Sequence, residues 1–170
     1  MHVSRRLIRD KEGAAAIEFG LMAMPFFTLL FAILEVAFMF FIDSSLDAAL
    51  QMTARQVRTG KASTENWNLA TFKSKVCANM SLAFDCENKL LVKTTAMADF
   101  SSVSYVSAVK DGKMSVAESF SAGKSGDYML IQAFLPFDSV LGFAGVDAHT
   151  LDDGSYALAA AALFRNEPFE

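Results

Sequence analysis

Apolar positions are spread unevenly along the chain. From Phe19 to Ile42, FGLMAMPFFTLLFAILEVAFMFFI runs for 24 residues with a single charge, Glu35. At about 1.5 Å per helical residue it reaches roughly 36 Å, enough to cross a hydrocarbon core of about 30 Å. A transmembrane helix is therefore expected over residues 14–42, with Pro25 inside it as a predicted kink, because proline removes an intrahelical hydrogen bond. Beyond Ile42 the pattern turns amphipathic. Leu46, Leu50 and Val57 share one face, while Asp43, Asp47, Gln51 and Arg55 form an i, i+4 ladder on the other. The helix is expected to continue through 43–60 and to stop at Gly60, its outer half laying an apolar stripe on a globular head. The alternative is a short juxtamembrane helix followed by a linker.

The head, residues 61–170, mixes two periodicities. Thr64 and Asn66 offer a second helix start, and Leu69, Phe72, Val76 and Met80 recur at helical spacing, a stripe that reads as core. Strands are expected at Lys89–Met97, more weakly at Ser102–Val109, and at Tyr128–Leu135. The last is apolar on both faces, hence central, and is stopped by Pro136. Asp111-Gly112 and the Gly123 to Gly126 stretch supply turns. Tyr156–Phe164 is Ala-rich, which suits a helix, yet Tyr156, Leu158 and Phe164 share a strand face; a strand is chosen. The expected fold class is α+β.

Charge gives the long segment a direction. Arg5, Arg6, Arg9 and Lys11 precede it, and after it no Lys or Arg occurs until Arg55. By the positive-inside rule the N-terminus is cytoplasmic, residues 1–13 form a basic leader, and the bulk of the chain is exported. A conventional secretory signal would have a shorter apolar core followed by a small-residue cleavage site, which FFID does not offer. The two carboxylates of the apolar segment differ in depth. Glu18 lies near the cytoplasmic boundary, where the headgroups could hold it. Glu35 is about two turns from the outer end, where a carboxylate costs at least about 2.5–3.5 kcal/mol, so packing against another membrane protein is the functional reading.

Composition narrows the chemistry. A hydrophobic fraction of 53% is high for a soluble protein and fits a single membrane block, and a net charge of −4 excludes nucleic acid as the main partner. Cys77 and Cys86 lack the further ligands of a zinc site. In an exported chain they read as a disulfide closing a small loop, with two free buried thiols as the alternative. The histidines are His2, in the leader, and His149, in the loop DAHTLDDG; no nucleophile, base and orienter sequence or phosphate loop is present. Asp147, Asp152 and Asp153 do not follow a calcium-loop spacing and read as a solvated acidic loop. No enzymatic activity, catalytic residue, metal, cofactor or small-molecule substrate is expected.

Gly13 followed by AAAIEF resembles the processing motif of prepilin-class proteins. More widely, EGAAAIEFGLMAMPFFTLLFAILEVAFMFF followed by LDAALQMTARQVRTG resembles the TadE-like pseudopilins of the Flp, or tight-adherence, pilus system. The match is strongest over residues 12–60; the ending ALFRNEPF also resembles that family's C-terminus, and 61–154 carries no sharp motif. The resemblance implies a type IV pilin-like fold, a long helix packed on a small antiparallel sheet. It implies cleavage by a prepilin peptidase between Gly13 and Ala14, with Glu18 as the fifth mature residue and Phe19 after it. It further implies assembly through the N-terminal helix, where Glu18 meets the Ala14 amine of a neighbouring subunit.

The implied location is the bacterial inner membrane, single pass with a periplasmic head, or an extracellular pilus if the subunit is incorporated. Its implied partners are the peptidase, other pilins or pseudopilins, membrane proteins of pilus assembly, and lipid. The alternative is an unprocessed, membrane-anchored periplasmic binding or scaffold protein, distinguished by a mature N-terminus at Met1 or His2.

Overall fold

The computed structural model describes residues 13–80, 85–97, 99–138 and 151–169. The basic leader with His2, Arg5, Arg6, Arg9 and Lys11, and the loop residues Asp147 and His149, lie outside them. The chain divides into two units, Met1–Ala37 and Phe38–Glu170. One helix, α1 (Ala14–Arg58), starts in the first and ends in the second.

In the second unit α1 supplies one wall of the core. Ile42, Leu46, Ala49, Leu50, Thr53, Ala54 and Val57 are buried, as the i, i+3, i+4 spacing requires. Thr53 returns its hydroxyl to the Ala49 carbonyl at 2.8 Å, so its burial leaves no hydroxyl proton unpaired. Gly60 follows with φ +81, a left-handed conformation that glycine adopts without penalty. A short helix α2 (Lys61–Thr64) comes next, then α3 (Leu69–Asn79). The cap of α3 is Asn68, whose side-chain oxygen accepts from the Thr71 N–H at 2.8 Å, rather than the expected Thr64 or Asn66. Thr64 belongs to α2, and Asn66 has φ +51 in the turn between the helices.

The sheet is antiparallel in the order β1, β4, β5, comprising Leu91–Met97, Tyr128–Asp138 and Ser155–Arg165. A separate hairpin pairs β2 (Val109–Lys110) with β3 (Lys113–Met114), and its two-residue turn is Asp111-Gly112, both at positive φ. The central position of β4 and the strand assignment of the Ala-rich C-terminal run hold. The residues Ile131, Ala133, Leu135, Leu158, Ala160, Ala162, Leu90 and Val92 share the core with α1 and α3.

Two further expectations are corrected. The run Ser102–Val109 is not a strand: Phe100–Ser102 is a 3-10 turn and only Val109 enters β2. Its backbone is held instead by buried Gln132, whose amide accepts from the Val106 N–H at 3.0 Å and donates to the Val106 carbonyl at 3.1 Å. Nor does Pro136 end β4, which pairs on to Asp138 opposite Ser155. The register explains this. Even-numbered residues of β4 point their backbone groups toward β1, but that pairing reaches only Leu91 opposite Phe134. At Pro136 no β1 partner remains, so the missing N–H costs no ladder bond.

Both sheet edges are partly covered. Beside β1, Thr94 N–H donates to Ser119 O at 2.9 Å and Ser119 N–H to Val92 O at 3.1 Å. Beside β5, the Gln51 amide donates to Ala161 O at 3.3 Å and Glu167 N–H to Arg58 O at 2.9 Å. Such bonds occupy part of the outward backbone row that would otherwise invite strand addition.

Cys77 and Cys86 form the disulfide, with Cα atoms 5.7 Å apart, joining the end of α3 to the short helix α4 (Cys86–Lys89) that leads into β1. Replacing both cysteines by serine is expected to lower head stability by about 2.5 kcal/mol, the loop-closure entropy of so small a loop. Urea titration followed by the single tryptophan, Trp67, measures it; an unshifted midpoint rejects the estimate.

The C-terminal residues close over the end of α1. Arg58 pairs with Glu167 at 3.1 Å, and a Cβ on Gly60 would stand 2.4 Å from Phe169 Cγ. Gly60→Ala is therefore expected to cost about 1–2 kcal/mol for the left-handed backbone, plus the displacement of the Phe169 ring. In a Phe169→Ala background only the backbone part should remain. Equal costs in the two backgrounds would show that the ring does not rest on Gly60.

Candidate assembly helix

Ala14 is the first helical residue, and the turn at Gly13 precedes it; Ile17 N–H reaches back to the Gly13 carbonyl at 3.2 Å. Apart from its chain neighbours, no described residue lies within 4 Å of where a Gly13 Cβ would be. Glu18 is exposed one turn further on, about 6 Å along the axis from Ala14. Phe19, also exposed, adjoins it.

From Ile17 onward the first unit presents large apolar side chains all round. Phe19, Leu21, Met22 and Met24 are each more than 70% exposed, a distribution that water does not tolerate over such a length and lipid does. By length and composition α1 is able to cross a membrane once. Rings follow one another along it, Phe26 edge-on to Phe27 at 5.4 Å and Phe27 tilted on Phe31 at 6.5 Å. At Pro25 the missing N–H withdraws a bond from the Leu21 carbonyl. Three residues on, the Thr28 hydroxyl donates to Met24 O at 2.9 Å, and the helix runs through. Glu35 is half-buried, about 25 Å along the axis from Glu18, so the two carboxylates do not form one site.

On the second unit the solvent face of the same helix carries Asp47, Ala48, Gln51, Met52 and Arg55, with Asp43 half-buried at its edge. Met52 is 58% exposed. The sequence reading passed over it; the available signal was its position outside the Leu46, Leu50, Val57 stripe. Elsewhere on the head, Lys89 donates to Asp138, which holds its ammonium above the ordinary lysine range against a smaller desolvation effect. The Trp67 indole N–H holds the Glu65 carboxyl below its ordinary range, with Lys61 and Lys75 adding to the effect. The first joins α4 to the end of β4, and the second lies within the turn between α2 and α3.

Residues 13–55 match the family model described as TadE-like protein. The match begins at Gly13, covers the membrane-length segment and enters the amphipathic extension, without reaching the sheet. No curated protein and no solved structure matches the chain. The resemblance read from the residues thus stands over this segment, and the fold is the α+β, pilin-like arrangement of a long N-terminal helix followed by a small antiparallel sheet. A TadE-like segment supports a component associated with the tight-adherence pilus system.

Proposed function

We propose that the protein is a minor pseudopilin of the Flp pilus system, a non-enzymatic structural subunit cut by a prepilin peptidase after Gly13. The observation that carries this reading is the coincidence of three features at one place. The TadE-like match starts at Gly13, the helix starts at Ala14, and an exposed carboxylate, Glu18, follows within one turn.

The chemistry follows from that geometry. Small Gly13 lets an extended backbone enter the peptidase site at the cytoplasmic face, and the helix stays with the product. Cleavage removes the basic residues that fix the orientation and leaves an ammonium on Ala14. In hydrocarbon a lone carboxylate or ammonium is costly, so the Ala14 amine of one subunit and Glu18 of its neighbour offset each other there, where no water screens their attraction. Phe19 packs beside that pair, Pro25 gives the helix a bend, and Glu35 contacts a membrane protein of the assembly machinery. The head lies on the periplasmic side of the inner membrane.

Intact-mass measurement of the purified membrane form tests the reading. A chain beginning at Ala14, with Cys77 and Cys86 oxidised, is expected. A chain beginning at Met1 or His2 overturns it in favour of an uncut membrane-anchored scaffold.

A further inference from the structure

The two ends of the head meet different parts of α1. Phe38 packs on Phe137 at one end, with ring centroids 5.8 Å apart, and Arg58 pairs with Glu167 at the other at 3.1 Å. From Phe38 to Arg58 the helix rises about 30 Å, and Ser155–Arg165 spans about 33 Å, so helix and strand run side by side over one length. The end of the sheet that holds Phe137 therefore lies where α1 enters the head.

Counting along the chain gives that end a depth. A helix that enters hydrocarbon at Phe19 has risen about 30 Å by Met39, so Phe38 to Ile42 fall in the interfacial layer, about 5–7 Å thick on each side of the core. Their rings are uncovered. Phe38, Phe40 and Phe41 are 39%, 64% and 47% exposed. Phe38 stacks on Phe41 at 6.5 Å and leans on Phe137, so the apolar surface of the helix continues onto the sheet. Phe137 is half-buried, and so is Tyr156, its direct partner across the ladder and on the same face. An aromatic rim contiguous with a membrane segment fits lipid, and the apolar ring and polar tip of tyrosine suit headgroup level.

We propose that Phe137 and Tyr156 form a second membrane contact, seated among the phospholipid headgroups of the leaflet that α1 leaves, beside Phe38 and Phe41. The inference rests on α1 crossing a bilayer, as the pseudopilin reading does. Lipid charge does not hold this contact. Lys89, a cation at this end, is paired with Asp138 at 2.6 Å and also feels Asp85 and Asp153, so an anionic headgroup gains little there. Burial of the rings is the attraction. A head that touches the bilayer at its rim also restrains the tilt of α1, which interfacial aromatic anchors help to set.

Tryptophan depth measurement on the full chain in phosphatidylcholine vesicles tests this. In a Trp67→Phe background, Phe137→Trp carries the single tryptophan. Lipid brominated near the headgroups should lower its emission about twofold, and lipid brominated deep in the acyl chains should lower it less. Tyr156→Trp should behave alike and decides the matter if Phe137→Trp does not fold, which the oxidised Cys77–Cys86 pair reports. Trp67 of the unaltered chain follows α2, beyond the far end of α1, and should keep its emission in both lipids. Adding phosphatidylglycerol should change none of these results.

Emission from position 137 or 156 that bromine leaves unchanged in a folded chain overturns the proposal, including the case in which a protein covers this rim instead. Quenching that appears only with phosphatidylglycerol overturns it too, since the contact would then be electrostatic. A Phe31→Trp probe inside the apolar run separates the two readings. Deep quenching at 31 with a silent rim rejects the second contact alone, whereas an unquenched position 31 rejects the membrane crossing and the pseudopilin assignment with it.

Discussion

Replacing Gly13 by tryptophan should leave the chain at precursor length in the membrane, with processing slowed by at least about 100-fold, the scale on which a misplacement of about 1 Å at a reacting bond acts. The structure makes this substitution unusually clean. Apart from its chain neighbours, no described residue has an atom within 4 Å of the Cβ position, Gly13 precedes the first turn of α1, and its φ is not in the left-handed region. A bulky side chain there meets no described residue beyond its chain neighbours, so folding of the head should be untouched and the Cys77–Cys86 bridge should form as before. Only an enzyme that grips the backbone on both sides of the Gly13-Ala14 bond would sense the change. Gly13→Ala adds a single methyl group and should still be cut. An immunoblot of membranes distinguishes these outcomes; a tryptophan variant cut at the normal rate would remove peptidase recognition from the account and with it the role given to Ala14.

What could be read from the sequence, and what could not, divides along the range of the interactions. The long helix was legible because its signal is local and massive, an apolar run longer than any core helix needs, followed by Leu46, Leu50 and Val57 at helical spacing. The β5 strand was legible for a subtler reason: an Ala-rich run fits a helix by propensity, but Tyr156, Leu158 and Phe164 share a strand face, and the structure adds Ala160 and Ala162, buried beside Leu158 with the same period of two. Pro136 was misread as a stop because its harmlessness depends on where β1 begins, a fact of register that no local window contains. The Ser102–Val109 segment was misread for the converse reason. Its backbone partner is the side chain of Gln132, a polar residue in an otherwise apolar strand that sequence patterning treats as an interruption. Tail residues 166–169 showed their resemblance in sequence but not their work, which is to cover Gly60 and pair with Arg58. The pattern from Gly13 to Glu18 and the Asp43, Asp47, Gln51 and Arg55 ladder were both readable, since the residues of each are adjacent in the chain or recur at one helical spacing.

Phe72→Ala should be the most damaging single change in the head, with an expected loss of about 3–5 kcal/mol from transfer and cavity terms. Phe72 is fully buried on α3, at the point where that helix meets α1 and the sheet, and its ring stacks on Phe120 with centroids 4.8 Å apart. Phe120 belongs to the strip that covers the outer edge of β1, so the ring joins three elements at once. Polar contacts nearby cannot replace it. Lys73, the next residue on α3, pairs with Glu118 at 2.8 Å, and Glu118 also accepts from the Val92 N–H at 3.2 Å. That pair is partly open to water, with side-chain exposures of 13% and 28%, so its removal by Lys73→Ala should cost about 1 kcal/mol or less. The comparison therefore asks whether the β1 edge is sealed chiefly by apolar burial or by charge. Against a net stability of about 5–15 kcal/mol, the loss at Phe72 brings the head near its unfolding threshold, while the loss at Lys73 does not. Urea titration of the detergent-solubilised, disulfide-intact chain, read by Trp67 fluorescence, resolves the two. A Phe72→Ala loss below about 1 kcal/mol, or a Lys73→Ala loss exceeding it, would place the seal in the ion pair instead of the ring stack.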